Sequence, residues 1–134
     1  MFMKSTLFHS KAFSIDAGLL LLRLLAGGTM LSHGWAKLQN VMAGNLQFAD
    51  PIGIGTEASL YLAIFAEFLC ALLLVLGFLT RIVLVPLMIT MLVALLIVHA
   101  PDPFNVKELA FIYLGMFVVL FLTGPGKFSI DNKL

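Results

Sequence analysis

Charge is what this sequence has least of: Lys, Arg, Asp and Glu make up 11% of its 134 residues, where a soluble domain carries about 25%. The charges nearly cancel, to a net +1. That leaves no basic excess to displace counterions from phosphates, which excludes a nucleic-acid partner. Cysteine occurs once, at Cys70, so an internal disulfide and a CxxC exchange pair are excluded. Inside an apolar run, Cys70 reads as a small packing residue. Phosphate-binding glycine loops, nucleophile elbows and haem-ligand pairs are missing too. No small-x-small cleavage site precedes Arg23, so the start reads as uncleaved rather than as a secretory signal. In that start Phe2, Phe8 and Phe13 are expected near a membrane interface, with His9 exposed.

What fills the chain instead is apolar: 61% of residues are hydrophobic, against a usual 45–50% or so. A chain of this length has too little interior to hide that surface, so lipid is the solvent for most of it. Length alone gives one domain, residues 1–134. Four apolar segments approach the roughly 20 residues needed to cross a bilayer: 17–38, 58–79, 82–98 and 107–123. Backbone exposed to hydrocarbon must satisfy its own hydrogen bonds, so each is expected to be helical. The expected fold is an all-α membrane protein, a four-transmembrane-helix bundle.

Gly77 and the residues after it make a tight turn between the second and third helices. Pro101 and Pro103 stop the third, and Pro86 is expected in the third helix's first turn. The 39–57 connection is long, and its Phe48, Ile52 and Ile54 suggest that it folds back over the bundle mouth. Lys4, Lys11, Arg81, Lys127 and Lys133 fall on one side. Lys37 and Lys107, diluted by Asp50, Glu57, Asp102 and Glu108, fall on the other. The positive-inside rule then predicts N- and C-termini in the cytoplasm and the two Asp-Pro loops outside, with Trp35 and Tyr61 at the outer interface.

Against this background the buried charges stand out, because each costs a few kcal/mol at mid-membrane unless it faces a partner or a wet cavity. Arg23, Met30 and Lys37 recur at seven-residue spacing on one face of the first helix, and His33 precedes Lys37 by one turn. Gly28, Ser32 and Ala36 form a small-residue ridge suited to close helix approach. Glu67, the only acid in the middle of a span, needs a cation or a proton. Counting rise from the helix ends sets it level with Arg23, so an Arg23–Glu67 intramembrane ion pair is expected. His33, Lys37, His99 and Glu108 converge by depth at the outward rim and form the candidate ligand pocket. Lys37 disfavours a metal there, and no metal site is expected. An anionic, carbonyl or quinone-like group suits these donors better. The plain alternative is structural: an anchoring ion pair and interfacial histidines.

The segments LLRLLAGGTMLSHGWAKL, FAEFLCALLLVLGFLTR, ALLIVHAPDPF, KELAFIYL and LTGPGKFSID together resemble the DoxX family of small bacterial membrane proteins. The resemblance implies a multi-pass four-helix bundle in the bacterial inner membrane. It marks Arg23, His33, Gly34, Lys37, Glu67, Gly77, Arg81, His99, Glu108, Gly124 and Asp131 as family positions. Relatives are linked to thiosulfate:quinone oxidoreductase and to membrane oxidoreductase complexes. With no cysteine pair here, a redox role would act through a bound quinone, the candidate cofactor, or through a partner oxidoreductase. The expected function is a redox-associated subunit whose outward pocket takes a quinone-like or small sulfur or anionic ligand. The alternatives are a small-anion or proton transporter, which at this size calls for a homo-oligomer, and a non-catalytic assembly subunit.

Overall fold

A computed structural model describes residues 7, 8 and 10–134. The expectations for Phe2, Lys4 and His9 lie outside the described residues. Among those described there are four helices long and apolar enough to cross a membrane and no strand. We label them α1 (Ile15–Met42), α2 (Thr56–Leu76), α3 (Thr80–Val98) and α4 (Phe104–Thr123). Each packs on the next, and α4 returns to α1.

Helix boundaries follow local chemistry rather than hydropathy alone. The Ser14 hydroxyl accepts from Ala17 N–H and caps α1. That helix runs four residues past its apolar stretch, and at about 1.5 Å per residue its length exceeds a roughly 30 Å hydrocarbon core. The Asp50 carboxylate accepts from the amides of Ile54 and Gly55 and from the Ser59 hydroxyl, which fixes the start of α2. The end of α2 is Leu76, three residues before the apolar run stops, because Gly77 turns left-handed (φ 70°). Gly77 N–H then bonds Leu74 O and Phe78 N–H bonds Leu73 O, a Schellman closure. Pro86 lies in the second turn of α3, close to the helix start where it was expected.

The interior is small. Met30, Leu74, Leu84, Leu87, Phe117 and Leu120 form its centre, together with the fully buried Ala26 and Ala71. Large apolar side chains such as Ile82, Leu96 and Leu122 point outward, as a bilayer-solvated bundle requires.

The ridge that brings α1 onto α2 is Gly27 and Gly34, not Gly28, Ser32 and Ala36. A Cβ on Gly27 would stand 2.8 Å from a Val75 methyl, and one on Gly34 would collide with the backbone of Glu67 and Phe68. A Cβ on Gly28 would meet nothing within 4 Å, and Ser32 and Ala36 are exposed.

Candidate functional site

The antiparallel register that seats Gly34 on Glu67 and Gly27 on Val75 carries Arg23 to Gly77. Arg23 is therefore nearly three turns of α2 away from Glu67, and the expected Arg23–Glu67 ion pair does not form. Arg23 is 2% exposed and donates to four carbonyls instead: Leu74 and Val75 at the end of α2, and Pro125 and Phe128 in the C-terminal tail. The depth count failed because it took the helix ends as level: Arg23, about two turns into α1, lies beside Gly77, just past the last residue of α2, so the start of α1 extends beyond the end of α2. A guanidinium, with five donors in a fixed fork, suits a cluster of unpaired helix-end carbonyls.

Other residues of the resemblance pattern complete this end of the bundle. Asp131 accepts from the amides of Leu79 (2.8 Å) and Thr80 (2.9 Å) and so caps α3 from 51 residues away. Burial alone would push the Asp131 carboxyl up. The hydrogen bonds from Thr80 and Leu79 and the charge on Arg23 outweigh it and hold the carboxyl below its ordinary value. Arg81 donates to Phe121 O near the end of α4, beside Gly124. This constellation is a structural clasp.

The chemistry-bearing groups gather toward the opposite end. Lys37 Nζ lies 2.7 Å from Glu67 Oε1, with the carboxylate side chain 7% exposed and the lysine 25%. Lys37 thus supplies the cation that Glu67 requires. Glu67 sits within a π-helical stretch, Phe65–Cys70, and α3 ends in a second one, Ala94–Val98, immediately before His99. Single π turns re-aim the side chains around them and are frequent at functional sites. Here both stretches border the same space.

That space has two parts. A cavity of about 340 Å³ lies between α2, α3 and the 43–55 connection, lined by Lys37, Ser59, Glu67, Thr90 and His99 among apolar walls that include Phe48, Ile52 and Ile54. The long connection therefore does fold over the bundle mouth. A smaller cavity of about 140 Å³ on the α1 and α4 side is lined by Met30, His33, Glu67, Met91, His99 and Tyr113. Glu67, Met91 and His99 line both. The larger volume falls within the range of small-molecule sites; the smaller suits a few waters.

His33, Lys37 and His99 thus border one composite space. Glu108 does not: it is exposed and lines neither cavity. The inward residues of α4 are Ala110, Tyr113, Phe117 and Leu120, and Glu108 stands roughly 200° round the helix from Ala110. Asp102 makes the contact expected of an acid at this rim, its Oδ2 lying 2.9 Å from His99 Nδ1. A carboxylate on Nδ1 orients the ring and leaves Nε2 for another partner.

The residue that sequence reasoning missed is Tyr113. Its ring is buried, stacks on Phe117 and meets His33 edge-on at 6.0 Å. Its hydroxyl donates to Thr29 at 2.8 Å. The available signal was a phenol ten residues into an apolar span, since a buried Tyr O–H needs a partner. Among the described residues no three His, Cys, Asp or Glu side chains come together as a metal ion would need.

Comparison with known proteins places these residues in context. The DoxX family profile matches residues 18–100, which contain His33, Lys37, Glu67 and His99. The inner membrane protein YqjF of Escherichia coli (strain K12) is 35% identical over 124 residues, covering 89% of this chain and 93% of that protein. No solved structure matches the chain.

Proposed function

The chain belongs to the DoxX family and is a multi-pass inner-membrane protein, and from that footing we propose that it is a redox-associated membrane subunit whose composite cavity binds a quinone-like ligand. The observation that carries the reading is the Lys37–Glu67 pair, held in the wall of an apolar cavity that His99 also lines. A quinone needs apolar walls for its ring and tail, a donor for each carbonyl, and protons when it is reduced. Lys37 supplies a donor, and His99, its Nδ1 held by Asp102, supplies a second from Nε2 when both ring nitrogens carry protons. Glu67, His99 and His33 offer a proton route through the smaller cavity. Reduction of the quinone to the quinol takes two electrons and two protons; the electrons come from a partner oxidoreductase. By the lysine and arginine asymmetry this end of the bundle faces outward.

The ion pair also discriminates among ligands. With Glu67 2.7 Å away, Lys37 is already neutralised, which favours a neutral carbonyl compound over a sulfur oxyanion. The same neutralisation weakens the small-anion transport reading.

Trp35, the only tryptophan, lies two residues from Lys37 and packs beside Phe68. It therefore reports on this region. Titration with a short-chain benzoquinone is expected to quench it saturably, with His99→Ala weakening the half-saturation point about tenfold, a typical cost of losing one hydrogen bond in a site. Quenching that rises linearly without saturation, equally in wild type and His99→Ala, would leave no binding site to discuss.

A further inference from the structure

At the opposite end of the bundle we propose a second site, a recess that binds the phosphate of an anionic phospholipid headgroup. Nothing in the quinone reading bears on it. The recess, about 480 Å³, is formed by the C-terminal tail against the end of α2, and its polar lining includes Lys127, Lys133 and Asn132 while its apolar lining is Leu76, Phe128 and Ile130. No acidic side chain lines it. Neither lysine has an ion-pair partner among the described residues.

Three features separate this recess from an ordinary solvated basic tail. First, its backbone is fixed before any ligand arrives. Arg23 holds the carbonyls of Pro125 and Phe128, each at 2.8 Å. Asp16 accepts from Lys127 N–H, the Ser129 hydroxyl bonds Gly126 O, and Asp131 N–H bonds Gly77 O. Second, neither neighbouring acid forms an ion pair with the ammonium groups: both oxygens of Asp131 accept from the amides that begin α3, and Asp16 accepts from the backbone N–H of Lys127. Third, its level in the bundle is the membrane interface, because Leu76 and Thr123 are the last residues of two spans. Phe128 and Ile130 are 50% and 39% exposed there, beside two ammonium groups. Exposed apolar groups next to paired cations match a ligand with an anionic head and a hydrocarbon body, and basic pockets at the ends of membrane helices bind such headgroups. A soluble phosphate ester would meet the same cations but leave the apolar wall uncovered.

Native mass spectrometry of the full chain, released from bilayers of equal phosphatidylglycerol and phosphatidylcholine, tests this directly. The expected result is at least tenfold preferential retention of phosphatidylglycerol, falling to parity in K127Q/K133Q and preserved in K127R/K133R. Both lysines are exposed, so the neutral variant keeps the wild-type fold, which its melting temperature in phosphatidylcholine checks. Thermal unfolding supplies the second arm: phosphatidylglycerol raises the melting temperature, and inorganic phosphate or glycerol 3-phosphate at millimolar concentration does not. Equal retention of the two lipids overturns the proposal, as does an undiminished preference in K127Q/K133Q. Equal stabilisation by the soluble phosphates overturns it in favour of a water-soluble ligand.

Discussion

Lys37 reaches Glu67 across the one crossing at which a glycine, Gly34, lies on the Glu67 backbone itself. Gly34 and Lys37 are three residues apart and so share a face of α1. The separation of α1 and α2 at Gly34 therefore sets the reach of the lysine, and the ion pair and the helix crossing form one unit. A wider crossing would leave Glu67 facing apolar walls with no cation.

Gly34→Ala is accordingly expected to be more damaging than its size suggests. The added methyl has only backbone to push against, and overpacking of this kind costs about 1–3 kcal/mol. Gly28→Ala, where the same methyl meets nothing, should leave stability unchanged or slightly higher, as helix propensity favours alanine. Melting temperatures of the two variants in one detergent check the contrast; equal shifts would contradict the close approach.

The pair itself is open to a double-mutant cycle. Lys37→Met leaves a nearly buried carboxylate without its cation and should cost about 2 kcal/mol, below the 3–5 or so of a fully buried pair because Lys37 is a quarter exposed. Glu67→Gln should cost less. The double variant should recover part of the loss, since neither charge is then stranded. Additive losses from reversible unfolding in mixed micelles would mean that the two do not interact.

Arg23 acts by donating to carbonyls, so charge alone is not what matters there. Arg23→Met orphans the Val75 carbonyl at the end of α2 and the Pro125 and Phe128 carbonyls in the tail. At about 1–3 kcal/mol for each buried group left unpaired, a loss of about 3 kcal/mol is expected, with the tail released to proteolysis after Thr123. Arg23→Lys should rescue only partly, because an ammonium lacks the planar fork. Removing Glu67 should not alter the proteolysis pattern.

Acid should loosen the same clasp. Asp131 titrates below its ordinary value in the folded chain, so its contribution is complete above the usual carboxylate range near about pH 4 and is lost as pH falls through the lower native value. Asp131→Asn should remove that acid dependence and cost about 1 kcal/mol at neutral pH, the usual worth of a helix cap. Tail proteolysis followed between pH 7 and pH 3 measures it, and an unchanged acid profile in Asp131→Asn would count against the cap.

How legible all this was in the sequence depends on the kind of residue. The spans were readable because lipid imposes a long apolar run on each. The need of Glu67 for a cation was readable too, because a lone acid in hydrocarbon admits few solutions. Which cation was not: Arg23 and Lys37 both sit on the inward face of α1, and the choice turned on how far the start of α1 slides past the end of α2. The close contacts of Gly34 with Glu67 and of Gly27 with Val75 decided that register, and hydropathy carries no trace of it. Glu108 and Asp102 show the same limit at the other rim, where depth alone did not reveal that Glu108 lies on the outer face of α4 while Asp102 stands beside His99.

The amino-acid order alone thus determined that this chain crosses a bilayer four times with the charges in the middle of its spans turned inward, because hydrocarbon tolerates neither open backbone nor unpaired charge. Only the packed bundle decided the pairings: lysine with glutamate, arginine with carbonyls, the last aspartate with the start of α3. Those depend on register between helices, which glycines and turns fix to within a residue. Hydropathy, averaged over a whole span, is blind at that scale.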